Sequence, residues 1–103
     1  DRGAMDSILD LLVGDFQTLL DQRLRENTFN VRLSLEAREF VLSHGTTSEY
    51  GARDLRRTVE RYLTRPLAAA VTRGEIVAGV EVLVGVDGER LRFEFDRVQG
   101  IGA

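Results

Sequence analysis

The alternation of apolar and polar residues divides the chain into six elements. From about Asp6 to Asn27, the residues Ile8, Leu9, Leu12, Phe16, Leu19, Leu20 and Leu24 recur at the three-and-four spacing of an amphipathic helix, and Leu11 and Val13 widen the stripe. Gly14 is disfavoured in a helix interior by about 1 kcal/mol against alanine, so the helix can also start beyond it. The period then drops to two. Phe29, Val31, Leu33 and Leu35 alternate with Asn30, Arg32 and Ser34, the pattern of a half-buried strand. Ser34 stands where a helix N-cap belongs, with Glu36 in the first turn and Ala37, Phe40 and Val41 as the inward face. His44-Gly45 closes this second helix, glycine being suited to the left-handed conformation that ends one.

A third helix is expected from about Ala52 to Thr72, with Leu55, Val59, Tyr62, Leu63, Leu67, Ala70 and Val71 as its stripe. Pro66 removes a backbone donor inside it and predicts a kink, and Gly74 closes it. The remainder reads as a hairpin. Val80, Val82, Val84 and Val86 share one strand face, Asp87-Gly88 supplies the positive-φ turn, and Leu91, Phe93 and Phe95 line the returning strand. The order helix, strand, helix, helix, strand, strand predicts an α+β fold, about three helices packed on one face of a small three-stranded sheet that ends in a β-hairpin. Residues 1–5 read as a remnant or a disordered end, residues 6–95 as one domain, and residues 96–103 as a tail.

Composition narrows the chemistry. The 103 residues are 43% hydrophobic and 30% charged, the balance of a globular domain with a modest core. No apolar run is long enough to span a bilayer and no signal segment opens the chain, so no membrane contact is expected. The absence of cysteine excludes disulfides, thiolate metal sites and thiol nucleophiles and suits the cytoplasm. His44 is the only histidine, so no metal site is expected, and beside a helix-ending glycine it reads as a surface or cap residue. All 14 basic residues are arginine. A phosphate-binding Walker loop needs lysine after its glycines, and therefore none lies in this chain. A net charge of −3 argues against nucleic acid as a partner. No residue is expected to be catalytic by itself.

The third helix carries the informative chemistry. Arg53, Arg57, Arg61 and Arg65 recur every four residues, with Arg56 beside them, forming a basic stripe that drifts slowly around the axis. Arg56, Arg61 and Arg65 read as a solvated face or a partner surface, and Arg56, Arg57 and Arg61 are candidate contacts to a partner or neighbouring subunit. Arg53 differs by its place at the helix start, behind Gly51 and Ala52, where backbone donors and the helix dipole favour an anion. A guanidinium there can hold a phosphate through two parallel hydrogen bonds.

The stretch Glu49-Tyr50-Gly51-Ala52-Arg53-Asp54-Leu55-Arg56-Arg57 resembles the sensor-2 motif of the Clp-family AAA+ ATPases. Leu20-Asp21-Gln22-Arg23-Leu24, Val31-Arg32-Leu33-Ser34 with Ala37, Arg65-Pro66-Leu67-Ala68 and Gly74-Glu75-Ile76 are similar to further stretches of that family, in the same order. Two departures from its pattern stand out: Thr46-Thr47-Ser48 precedes the motif, and Asp54 stands where proline is usual. The resemblance implies the C-terminal small, or lid, subdomain of a second AAA+ module. It implies that Arg53 senses ATP or ADP, supported by Tyr50, Gly51, Ala52 and Leu55, while Mg²⁺ and the nucleotide are held by the large subdomain of the same chain. It further implies a homohexamer, neighbouring subunits as partners, and protein substrates that are unfolded, disaggregated or delivered to a protease. Two other readings remain: a nucleic-acid module using the arginine stripe, and an interaction domain whose hairpin edge docks an adaptor or neighbouring subunit.

Overall fold

The computed structural model describes residues 2–45 and 51–97. Helix α1 (Arg2–Leu24) is followed by a tight 3-10 turn (Arg25–Asn27), strand β1 (Asn30–Leu33) and helix α2 (Leu35–Gly45). Helix α3 (Gly51–Val59), a π-helical segment (Glu60–Thr64) and helix α4 (Arg65–Thr72) are contiguous, and the hairpin of β2 (Val80–Asp87) and β3 (Arg90–Arg97) follows. The sheet order is β1-β2-β3, with β1 parallel and β3 antiparallel to β2. Leu9, Phe29, Val41, Leu42, Leu55, Leu63, Leu67, Val82 and Val84 are all at most 2% exposed and form one core between the helices and the sheet, the α+β arrangement read from the pattern.

Several boundaries differ from those expected. Helix α1 begins at Arg2, so residues 2–5 are helical and Met5 packs against the core. The helix passes through Gly14, where the surrounding space is open, and ends at Leu24 because Arg25 adopts a φ of 53°. Leu35 is not a strand residue; it opens α2 and is 77% exposed. Ser34 caps α2 as predicted, its Oγ accepting the Ala37 backbone N–H at 3.0 Å. In the hairpin, Asp87 pairs with Arg90, so the turn residues are Gly88 and Glu89 rather than Asp87 and Gly88. Gly88, at a φ of 67°, takes the first central position, where a II′ turn wants glycine. Strand β3 runs to Arg97, two residues into the expected tail.

Side chains tie the layers together. Gln17 of α1 acts as a strand mimic: its Nε2 donates to the Phe29 carbonyl at 2.8 Å and its Oε1 accepts the Val31 N–H at 2.9 Å. Arg38 of α2 reaches α1, donating to Asp6 Oδ1 at 2.7 Å and Asp10 Oδ1 at 2.8 Å. These bonds, that to Asp6 foremost, hold the Arg38 pKa above its ordinary value despite partial burial. Helix α4 closes as the sequence predicts, on Gly74 at a φ of 71°. The Gly74 N–H donates to the Val71 carbonyl at 3.0 Å and the Glu75 N–H to the Ala70 carbonyl at 2.9 Å, the paired bonds of a Schellman motif. The Arg73 guanidinium then clasps Glu75 at 2.7 Å and lowers its carboxyl pKa.

Candidate functional site

The site is built on the contiguous helix from Gly51 to Thr72. Leu55, Val59, Leu63 and Leu67, four residues apart each time, are all at most 4% exposed. In a regular α-helix a step of four overshoots one turn by about 40°, so such a row should wander off the core. The π segment prevents this. The Arg65 N–H donates to the Glu60 carbonyl, five residues back, so this turn holds more residues and a step of four falls short of a full turn. Its cause lies in the next residue. Pro66 has no N–H to give to the carbonyl four residues earlier, and its ring would collide with that group in a regular helix. The expected kink is thus realised as a widened turn. The same correction acts on the arginines, offsetting the drift that a uniform α-helix imposes on Arg53, Arg57, Arg61 and Arg65.

Arg53 lies in the first turn of α3 and is exposed. Ala52 beside it is exposed, whereas Leu55, one turn on, is fully buried. Gly51 opens the helix, and Tyr50 lies outside the described residues. The start of α3 is braced from α2. A side chain at Gly45 would meet Leu55 Cδ1 at 2.8 Å, Leu55 Cα at 3.0 Å and Thr58 Oγ1 at 3.2 Å. Gly45 is therefore a close-packing glycine; it is the last helical residue of α2 and, unlike Gly74, does not have a positive φ. The left-handed cap expected there is not what the residue provides. Thr58, buried beneath this contact, donates its hydroxyl to the Asp54 carbonyl at 2.8 Å.

Arg57 and Arg61 come together elsewhere on the helix. With His44, Asp54, Thr58 and Tyr62 they line an open depression of about 320 Å³, whose described lining does not include Arg53. The Arg61 guanidinium lies 5.4 Å from the Tyr62 ring centre, within cation–π range. His44 stacks on Phe40 at 4.1 Å and meets Tyr62 edge-on at 5.3 Å, with its Nδ1 bonded to the Phe40 carbonyl at 2.8 Å. His44, expected at the surface or as a cap, lies instead at an inter-helix seam, where it stacks on Phe40 of its own helix and meets Tyr62 of the next. Arg56 is exposed and is not among the residues of that depression. The arginines thus divide into Arg53 at the helix start and an Arg57–Arg61 pair at the α2–α3 seam. Among the described residues, no group of histidine and carboxylate side chains is arranged to hold a metal ion, and no helix is long and apolar enough to cross a membrane.

Comparison with known proteins gives the family. Residues 1–84 match the family described as the C-terminal, D2-small domain, of ClpB protein. The chaperone protein ClpB of Aquifex aeolicus is 36% identical over 86 residues, covering 82% of this chain and 8% of that protein. ClpB 1 of Synechococcus elongatus is 36% identical over 75 residues, covering 73% of this chain and 9% of that protein. ClpB of Rhizobium meliloti is 32% identical over 102 residues, 99% of this chain and 11% of its own length. The chain therefore corresponds to about a tenth of these relatives, and it belongs to the ClpB D2-small domain family.

Proposed function

We propose that this domain is the nucleotide-responsive lid of a Clp-type AAA+ ATPase that unfolds or disaggregates proteins, with Arg53 as its sensor. The observation that carries the reading is the position of Arg53, exposed on the first turn of a helix whose opposite side, at Leu55, Leu63 and Leu67, is at most 1% exposed. A guanidinium on a helix start fits a phosphate, because its charge adds to the positive end of the helix dipole there. In the full-length protein Arg53 would face the terminal phosphate of an ATP held, with Mg²⁺, by the large subdomain, and loss of that phosphate would change the charge facing it. The chain's own part is to make that change mechanical. Leu55 is pressed against Gly45, so a shift of the Arg53 turn is transmitted to α2 rather than absorbed by a loose side chain. Arg57 and Arg61, with Arg56 nearby, supply a cationic face suited to a neighbouring subunit of a homohexamer.

The test is Arg53→Ala and Arg53→Lys in the full-length protein that carries this domain. Loss of a charge-assisted, bidentate contact worth about 1.5–3 kcal/mol predicts roughly 10- to 150-fold weaker ATP turnover or nucleotide affinity, with lysine restoring little. Unchanged turnover and affinity in Arg53→Ala would refute the sensor role.

A further inference from the structure

The two edges of the sheet are not alike. At the start of β1, the carbonyl of Phe29, just before the strand, and the Val31 N–H are taken by the Gln17 amide of α1, which closes that end of the edge. The opposite edge is β3, the last strand of the order β1-β2-β3, paired with β2 from Arg90 to Arg97. Among the described residues no strand pairs with its outer side, and such an edge is a template for a further strand. Along β3, Arg90, Arg92, Glu94 and Asp96 alternate with Leu91, Phe93 and Phe95. Leu91 is buried and Phe93 packs against the core, whereas Phe95, on the same face, is still 42% exposed.

This pattern is self-complementary about Phe93. When a second copy is laid antiparallel with Phe93 facing Phe93, Arg92 falls opposite Glu94 and Leu91 opposite Phe95, each pair occurring twice. Directly opposite residues of an antiparallel ladder share a face at a Cβ separation of about 4.5–5.5 Å, where opposite charges attract and like charges repel. Moving the centre by one residue puts Arg92 against Arg92 or Glu94 against Glu94, so charge selects the Phe93 register. Arg92 and Glu94 already pair within one copy at 3.0 Å and are 55% and 47% exposed, so both are available to exchange partners across a two-fold axis.

We propose that β3 is an interaction edge for a second copy of this chain, which pairs antiparallel about Phe93 and joins the two sheets into one of six strands. The contact covers Phe95 with the partner's Leu91. It is isologous, so it joins chains in pairs and is distinct from the head-to-tail contacts that close a ring. Its length is about 27 Å, which places it at the weak end of interface sizes, with dissociation expected at tens to hundreds of micromolar, on the order of typical transient contacts.

Sedimentation equilibrium of the 103-residue chain tests this, with circular dichroism to verify that each variant folds. The wild type is expected to dimerise reversibly. Arg92→Glu and Glu94→Arg each place like charges opposite one another twice per dimer and should weaken association at least about tenfold. Mixed one to one, the two variants restore both opposite-charge pairs and should associate nearly as the wild type does. A wild type that stays monomeric to about 1 mM, single variants that dimerise unchanged, or a mixture that fails to associate would each overturn the proposal.

Discussion

Replacing Gly45 by alanine is the most direct probe of how the start of α3 is held. The added Cβ would lie 3.0 Å from Leu55 Cα and 2.8 Å from Leu55 Cδ1. Carbon atoms prefer about 3.5–4.0 Å, so the two helices must separate by at least roughly half an ångström. The side chain cannot swing aside, because Leu55 is fully buried. Overpacking of this kind costs about 1–3 kcal/mol, and the better helix propensity of alanine returns up to about 1 kcal/mol. The net loss lies between about 0 and 3 kcal/mol and centres on about 1.5 kcal/mol, a fall in Tm of roughly 6–12 °C at that centre for a domain of this size. Thermal and urea unfolding followed by circular dichroism read this directly. A comparison with Gly45→Asn separates packing from capping. If Gly45 served as a left-handed cap, asparagine would be tolerated better than alanine. If it serves close approach, the larger asparagine is worse. Equal or better stability of Gly45→Asn relative to Gly45→Ala would refute the packing argument.

Three further perturbations follow from the same geometry. Gly74 has a φ of 71° and open space around it, so Gly74→Ala should lose about 1 kcal/mol through backbone strain alone while Gly74→Asn loses less, the order opposite to that at Gly45 by the same unfolding assay. Gln17→Leu leaves the Phe29 carbonyl and Val31 N–H without their amide partner and should cost about 1–3 kcal/mol, with faster amide exchange at Val31; unchanged exchange would show that β1 is held by β2 alone. Arg38→Met keeps the packed stem but removes the bonds to Asp6 and Asp10, which are 49% and 66% exposed, so the loss should stay near 1 kcal/mol and shrink in high salt, as denaturant midpoints at two salt concentrations would show.

Much of the fold was legible because burial follows periodicity. The three-and-four spacing from Ile8 to Leu24, the every-second valines of β2, and Ser34 ahead of Ala37 each fix a local structure from neighbours in the chain. The site was half legible. The place of Arg53 at a helix start could be read from Gly51-Ala52-Arg53, because where a helix begins is set by neighbouring residues in the chain. The joining of Arg57, Arg61, Tyr62 and His44 at one seam could not, since His44 comes from another helix and its packing depends on how α2 crosses α3.

The sequence by itself determined most of the inward face, where helices start and stop at Ser34 and Gly74, and that the chain carries no lysine, whereas Leu11, Leu19 and Leu35, apolar and read as inward, are exposed. Each of these depends on one residue's conformational preference or on a spacing of a few positions. Only the tertiary structure decided the role of Gly45, the continuation of α1 back to Arg2, and the widened turn before Pro66. Gly45 is set by a contact with Leu55, and Met5 is helical because the core receives it. The widened turn satisfies the proline and the buried row of Leu55, Val59, Leu63 and Leu67 together. Such outcomes depend on distances between segments, which a linear pattern does not contain.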